Sequence, residues 1–299
     1  IGQFGTGFLT THLISKIVTV KGRTDDGRQF CFQLDRRGSN ADELKEVMES
    51  SWEAFRRSLA EGKVEEAGDF STEYEYPLAG STVGEVVTEG IADLIMNASY
   101  LLAFNDQIRS VKVDQPERSV TIEKTGCQSL ANIAQCFHVR EQSLGQDPVS
   151  RYVAVITNDG TSCAVEIEKV GDRWTIADQV HVPRIFVAFP LTSTRDFCLP
   201  VVINNEKLQP REDRDTLFLR PNNKGEQHPN MAYIARACDL ATRLAVLAAE
   251  ENWNGAATLA RLNPLLQWEW VDVNWFRGAL TDRFIRPLRS AEIMMTAAD

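Results

Sequence analysis

The sequence predicts an α+β protein with two domains. Its 299 residues are enough for two domains of about 100–200 residues each, and a hydrophobic content of 43% supports ordinary packed cores. Strand and helix signals alternate over residues 1–114, whereas residues 115–299 begin with short strands and end with helices. Strands followed by helices favour an α+β architecture for the second domain.

The first elements are predicted to be a hairpin and a long helix. Residues 17–20 and 30–34 are apolar or alternating and flank the turn residues Thr24–Gly27, which is the signature of a β-hairpin. Asn40 and Glu43 then predict an N-terminal cap. Apolar residues recur at helical spacing up to Gly62, so we expect an amphipathic helix over residues 41–61.

A strand, a second helix and another strand are predicted to complete the first domain. Residues 70–78 alternate as a strand that ends near Pro77. Thr82 and Glu85 resemble a capping box ahead of a long apolar stripe, which predicts a helix over residues 82–103. The following strand is expected over residues 107–113.

The second domain is predicted to contain a sheet of short strands followed by helices. Turn signals such as Asn158-Asp159-Gly160 separate the strands, so hairpins and an antiparallel or mixed sheet are expected. The strands are predicted over residues 119–124, 133–140, 151–157, 163–169, 185–189 and 199–203. Helices follow over residues 230–250 and 256–262, the second ending before Pro264.

Charge and hydropathy argue against nucleic acid and membrane as partners. The formal net charge is −10, from 42 acidic and 32 basic residues, whereas a nucleic-acid surface needs clustered Lys and Arg. No apolar run approaches the roughly 18–20 residues that span a bilayer. We therefore expect a cytoplasmic protein without membrane contact, for which nucleic acid is an unlikely ligand.

Cysteine and histidine spacing predicts no metal site. The six cysteines contain no C-x-x-C pair, so reduced thiols in the core are expected. The four histidines are dispersed without ligand-like spacing, and we assign them no chemistry.

The sequence begins with a glycine-rich loop suited to bind an anion. Gly2, Gly5 and Gly7 allow positive φ and close backbone approach, so that successive N–H groups can turn toward a phosphate. The apolar run Phe8–Ile14 predicts a short helix, whose N-terminus would add further N–H donors. The alternative is a tight glycine turn before a core helix.

Ile1–Phe8 (IGQFGTGF), with the helix and strand predicted after it, closely resembles the second glycine box of the Bergerat-fold ATPases. This superfamily includes heat-shock ninety chaperones, gyrase-type topoisomerases, MutL-type repair proteins and sacsin. The resemblance implies that the box closes the ATP lid and that its amides hold the nucleotide phosphates. The implied ATP-binding residues are Gly2, Gln3, Phe4, Gly5, Thr6, Gly7 and Phe8.

Three further stretches resemble sacsin-type proteins. The strand ending in Tyr76-Pro77-Leu78, the long helix and the next strand follow the order that closes the sacsin-type ATPase domain, and Thr72 falls at a nucleotide-site threonine. Residues 186–191, 199–204 and 210–215 are similar to consecutive segments of the same proteins. The resemblance implies that residues 1–114 are the C-terminal portion of a Bergerat-type α/β sandwich and residues 115–299 an α+β middle-type domain.

The family carries elements that this sequence does not match. A helix with a catalytic glutamate and a magnesium-binding asparagine, and an Asp-x-Gly-x-Gly turn that reads adenine, precede the box in its members. We therefore expect the sequence to be a fragment of a longer protein that is an ATPase at full length. Residues 1–299 alone should bind nucleotide weakly with little turnover, and the magnesium ligands should lie upstream.

Two arginines are candidates to contact the γ-phosphate. Related enzymes reach a basic residue from the middle domain to this phosphate, and Arg211 and Arg214 fall in the matching loop. The alternative is that residues 211–215 form a solvated surface cluster of alternating charge. A solvated face is also the expected role of Arg283, Arg286 and Arg289.

Three classes of function remain open. The first is an ATP-dependent, chaperone-like switch in which lid closure reorients the second domain and remodels a client protein. The second is a nucleotide-sensing module without turnover in a larger regulatory or defence protein, and the third is a MutL-like or topoisomerase-like DNA enzyme. The expected partners are a client protein or fused domains, with a possible homodimer.

Overall fold

The structure, a computed structural model, describes residues 13–63, 72–116, 118–179, 181–222, 224–265 and 267–291. It is a mixed α+β protein with one small sheet and one large, antiparallel-rich sheet. The chain divides into two compact units, Ile1–Ala92 and Asp93–Asp299. The predicted α+β class is confirmed at this level.

The small sheet contains the predicted hairpin. Strands β1 (Ile17–Arg23) and β2 (Gln29–Asp35) pair antiparallel, and β3 (Thr72–Glu75) pairs with the other side of β1. Gly27, in the turn, has a φ of 84°, a conformation that favours glycine.

Helix α1 (Ala41–Glu61) protects the outer edge of β2. The predicted cap is confirmed, since the Asn40 side chain accepts a hydrogen bond from the Glu43 N–H at 3.0 Å. Along the edge, the Ser58 hydroxyl accepts from the Cys31 N–H at 2.6 Å and the Ser51 hydroxyl from the Asp35 N–H at 3.2 Å. An edge strand covered in this way offers fewer free N–H groups to another chain.

Aromatic rings connect the C-terminal half of α1 to the small sheet. The Phe55 ring of α1 lies 5.3 Å from Phe30 and 5.0 Å from Phe32, both on β2. A side chain at Gly22 would place its Cβ 2.4 Å from the Phe30 ring. Glycine at position 22 therefore makes room for that ring.

Helix α2 (Ser81–Phe104) crosses the division between the two units. It begins at Ser81, so Thr82 is its second residue, and the predicted role of Thr82 as the cap was wrong because Gly80, with a φ of 88°, turns the chain earlier. Length and composition would allow α2 to cross a membrane, but a soluble core helix passes the same test. The segment from Asn97 to Ala103 is buried.

The large sheet is built mainly from antiparallel neighbours in the order β11-β10-β12-β8-β7-β6-β5-β4, with β9 paired to β8. Only β10 and β12 pair in parallel among the strands described. The strands are β4 (Ser110–Gln115), β5 (Arg118–Leu130), β6 (Ala134–Ser143), β7 (Val149–Asn158), β8 (Thr161–Val170), β9 (Arg173–Ile176), β10 (Ile185–Val187), β11 (Phe189–Pro190) and β12 (Val202–Asn204).

Helices cover both faces of the large sheet within the second unit. Helix α3 (Pro229–Glu250) packs on one face with residues such as Leu244, against Cys163 and Val165 of β8. Tyr100 and Ala103, from the end of α2, pack on the other face. Because both faces are covered, β8 is buried at every position from Thr161 to Ile167.

The helix predicted over residues 256–262 differs from the structure in its type. Residues Ala256–Ala260 form a 3₁₀ helix, and a longer helical segment follows: α4 (Val273–Leu280), a π-helical turn (Thr281–Ile285) and α5 (Arg286–Ser290). Phe276 of α4 stacks on Phe197 with centroids 5.1 Å apart. This segment closes one end of the core around α3.

Candidate functional site

The predicted phosphate loop, Gly2–Phe8, lies outside the described residues. Leu13 is the first described residue and lies four residues before β1. The assignment of this loop to ATP phosphates therefore stays a prediction.

Thr72, the second predicted nucleotide contact, is the first residue of β3. It pairs with Gly22 near the end of β1, and its side chain is exposed. Its hydroxyl makes no hydrogen bond within the part of the chain that the structure describes. The hydroxyl is thus available to a ligand at this end of the small sheet.

Buried asparagines hold both ends of the segment that carries Arg211 and Arg214, here called the arginine loop (residues 205–218). The Asn205 amide is buried and donates to the Thr161 hydroxyl at 2.9 Å. Asn230 is fully buried and accepts from the Gln209 N–H at 2.8 Å, and its amide donates to the Phe218 carbonyl at 3.2 Å. The loop is therefore fixed to β8 at one end and α3 at the other.

The backbone within the arginine loop is also ordered by hydrogen bonds. The Arg211 N–H donates to the Thr216 carbonyl and the Arg214 N–H to the Arg211 carbonyl, both at 2.9 Å. Arg214 has a φ of 56°, which is unusual for a residue with a side chain. Such left-handed residues are frequent at functional sites, where the surrounding structure enforces them.

The two arginines differ in what their guanidinium groups contact. Arg211 lies 3.9 Å from the Asp213 carboxylate and 5.7 Å from the centroid of the Phe218 ring. Arg214 is half-exposed and forms neither a side-chain hydrogen bond nor an ion pair with any residue described. Arg214 is consequently free to bind an anion, as is Lys207 of the same loop, whose exposed ammonium group also has no partner among the described residues.

The candidate residues are distributed over different parts of the chain. Thr72 belongs to the first unit, whereas Arg211 and Arg214 belong to the second. Each of these residues therefore has a defined local setting of its own.

Sequence reasoning missed a buried polar network in the large sheet. The Tyr100 hydroxyl accepts a hydrogen bond from the Glu166 N–H at 2.9 Å. The Glu166 carboxylate accepts from Arg151 at 2.9 Å, and Arg151 also donates to Glu141 at 2.9 Å. Burial raises the pKa of Glu166, while Arg151 opposes this rise. Strand alternation contains no signal for a carboxylate on a buried face.

The prediction of reduced core thiols was right for four of the six cysteines. Cys136, Cys163, Cys198 and Cys238 are free and buried, whereas Cys31 and Cys127 are free but exposed. Burial raises the pKa of Cys136 to about 11 and that of Cys198 to about 12, so these thiols stay protonated at neutral pH. The two exposed cysteines lie at solvent-facing strand positions, Cys31 in β2 and Cys127 in β5.

Two of the basic residues near the C-terminus, Arg283 and Arg286, form ion pairs. Arg283 lies 2.6 Å from Asp239 and Arg286 lies 2.8 Å from Asp282. These pairs are solvent-exposed and agree with the predicted solvated face.

The described residues include no group of three or more His, Cys, Asp or Glu side chains that could hold a metal ion. Comparisons of the chain with protein-family models, curated proteins and solved structures found no match. Any assignment of function rests on the residues and their local geometry.

Proposed function

We propose that this chain forms part of an ATP-dependent, chaperone-like protein of the heat-shock ninety and sacsin type, with a cytoplasmic location. In this proposal residues 1–114 belong to a Bergerat-type ATP-binding domain and residues 115–299 to a middle-type domain. The partners would be a client protein or domains fused to this chain, with a possible homodimer.

The observation that carries the proposal is the sequence Ile1–Phe8 directly ahead of the helix signal and β1. Three glycines within seven residues permit the backbone to turn several N–H groups toward phosphate oxygens. The exposed hydroxyl of Thr72 on β3 is consistent with a second contact to the nucleotide.

The arginine loop supports a role for the second unit. Phosphoryl transfer depends mostly on positioning and on neutralising the charge that develops on the phosphates. Arg214 lies on a loop whose hydrogen bonds hold it in place before any nucleotide binds. The Arg214 side chain has no carboxylate partner among the described residues. Such a cation can stabilise the γ-phosphate without first losing another interaction.

Magnesium would neutralise phosphate charge in such a reaction. The described residues contain no group of three or more His, Cys, Asp or Glu side chains that could hold a metal ion, and the proposal assigns no magnesium ligand to them. The residues proposed to act are the glycine box, Thr72 and the two arginines.

ATP hydrolysis by the complete natural protein tests the phosphate-loop assignment. Gly5→Asp and Gly7→Asp should abolish nucleotide binding, because each places a side chain and a negative charge where the phosphates would lie. Gly90→Asp is a matched control, since residue 90 is exposed on α2 and a Cβ there meets no atom within 4 Å. An unchanged hydrolysis rate in both glycine-box variants would show that the loop does not bind ATP.

The arginine loop is tested by Arg214→Gln with Arg220→Gln as its control. Arg220 lies 5.6 Å from the Phe218 ring, a position comparable to that of Arg211, but is outside the loop. Removing a γ-phosphate contact should slow hydrolysis at least tenfold while nucleotide binding changes less. Equal rates of ATP hydrolysis for Arg214→Gln and Arg220→Gln would show that Arg214 does not contact the γ-phosphate.

The same assays separate the other two functions. ATP binding without turnover would favour a nucleotide sensor. Hydrolysis stimulated by duplex DNA would favour a MutL-like or topoisomerase-like enzyme.

A further inference from the structure

An apolar groove with a volume of about 550 Å³ lies between α1 and β2 in the first unit. Its apolar lining is Phe32, Leu34, Leu44, Met48 and Trp52. Pockets of 300–1,000 Å³ with a mostly apolar lining and a few polar groups are typical binding sites for small molecules.

The apolar side chains of the groove remain accessible. Trp52 is 55% exposed and Met48 is 43% exposed. The Trp52 ring is held in place by stacking on Phe55, with centroids 5.4 Å apart. A clustered, accessible apolar surface of this kind gains free energy when a ligand removes it from water.

One cation in the groove is available to a ligand. Among the residues described, the Arg36 guanidinium donates a hydrogen bond only to the Met48 sulfur, a weak acceptor, at 3.4 Å, and forms no ion pair. The neighbouring Asp35 carboxylate is bound by Arg37 at 2.8 Å. Lys45 lies 3.9 Å from Glu49. An arginine without a carboxylate beside an apolar surface suits a ligand with an apolar body and one anionic group.

We propose that this groove binds an amphipathic monocarboxylate, such as a medium-chain fatty acid. The apolar chain lies along Leu44, Met48 and Trp52, and the carboxylate accepts paired hydrogen bonds from Arg36. The lining residues of α1 extend from Ala41 to Trp52, a distance of about 17 Å along the helix. This length accommodates an extended chain of moderate length, and the site is independent of the proposed nucleotide function.

Calorimetric titration of the full chain with dodecanoate, below its micelle concentration, tests the proposal. Dodecanol, which has the same chain length without the charge, reports the contribution of the carboxylate. We expect saturable binding of one dodecanoate per chain, at least fivefold tighter than dodecanol. Dodecanoate should also change the tryptophan fluorescence of the wild-type chain. If this change is absent in Trp52→Phe, the ligand lies in this groove.

Arg36→Gln should remove the preference for dodecanoate over dodecanol. Arg57→Gln is the matched control, because Arg57 is an exposed residue of α1 outside the groove and loses the same charge. Leu44→Glu, confirmed as folded by circular dichroism, should abolish binding of both ligands. Non-saturable binding, an unchanged preference in Arg36→Gln, or full binding by Leu44→Glu would each overturn the proposal.

Discussion

Tyr100 shows how a single buried hydroxyl organises the large sheet. The side chain is fully buried and accepts the N–H of Glu166 at 2.9 Å. Burial raises the pKa of Tyr100 well above its usual value, so the phenol stays neutral. Its role is consequently to satisfy a backbone donor of β8 that lies inside the protein.

Tyr100→Phe should lower the free energy of unfolding by about 1–3 kcal/mol, because the buried Glu166 N–H loses its partner. Tyr152→Phe is the control, since the Tyr152 hydroxyl has no hydrogen-bond partner among the described residues and its removal should change stability by less than about 0.5 kcal/mol. Urea unfolding of both variants measures the difference. Equal stabilities would show that water or another group replaces the hydroxyl.

At the residue scale, features that depend on neighbouring residues could be predicted from the sequence, whereas features that depend on distant residues could not. The Asn40 cap follows from a pattern within four residues, and the structure confirms it. The left-handed backbone of Arg214 depends on contacts that Asn205 and Asn230 make from distant parts of the chain. No sequence window contains that information.

The edge of β2 and the end of α1 are joined so closely that glycine is required between them. A Cβ at Gly62 would lie 2.0 Å from the Gln29 carbonyl oxygen, whereas a Cβ at Gly84 in α2 meets no atom within 4 Å. Gly62→Ala should therefore destabilise the protein by about 1–3 kcal/mol. Gly84→Ala should stabilise it by about 0.5–1 kcal/mol, because alanine favours the helix.

Thermal unfolding of the two glycine variants gives opposite shifts of Tm if this explanation is correct. A stabilising effect of Gly62→Ala would mean that α1 can move away from β2 without lowering the stability of the protein. A destabilising effect of Gly84→Ala would show that this part of α2 packs more closely than the local space indicates.

His228 makes the start of α3 sensitive to pH. Its ring accepts a hydrogen bond from the Asn230 N–H at 3.3 Å, which requires neutral Nδ1, and burial lowers the pKa of His228. Between the lowered pKa of His228 in the folded state and its unfolded pKa of about 6.5, the folded state therefore binds fewer protons than the unfolded state. Stability should rise as pH increases from the lowered folded pKa to about 6.5, and should be lost as pH falls through that window.

The difference in unfolding free energy between wild type and His228→Asn isolates this effect. Asparagine caps helices without titrating in this range, so the variant should lose part of the pH dependence. His181→Asn, at an exposed position, is the control and should keep it. If both variants retain the full pH dependence, the His228 cap does not cause it.

At the element scale, the helices were easier to predict than the strands. The apolar periodicity of residues 41–61 agrees with α1, and that of residues 230–250 is close to α3. Strand β5 extends from Arg118 to Leu130, well beyond its predicted end, because its second half pairs with β6 across a polar sequence. Pairing between strands determines their length, and alternation in one strand does not report it.

The whole molecule places most of its buried apolar residues in the second unit. Among the described residues of the first unit, only Val18 and Val20 are buried hydrophobic residues. The α+β class was predictable because it requires only the types and order of elements. The proposed ATP site was predictable only as a motif, since Gly2–Phe8 lie outside the described residues and the setting of Arg214 depends on tertiary contacts.

This uneven core predicts that the first unit unfolds before the second. Hydrophobic burial supplies most of the stability of a domain, and the slope of urea unfolding is about 1–3 kcal/mol per molar. Trp52 is the only tryptophan in residues 1–92, so the fluorescence difference between wild type and Trp52→Phe reports the first unit. Its midpoint should lie roughly 1 M urea below that of the far-ultraviolet circular dichroism transition of α3 and the large sheet.

Two core variants assign the transitions. Val20→Ala should shift only the fluorescence transition, because Val20 lies in the small sheet, and Ile203→Val should shift only the later one, because Ile203 lies in the large sheet. Coincident midpoints, with each variant moving both signals, would instead show that the two units unfold as one cooperative structure. The few buried side chains of the small sheet would then be stabilised by the rest of the chain rather than by their own core.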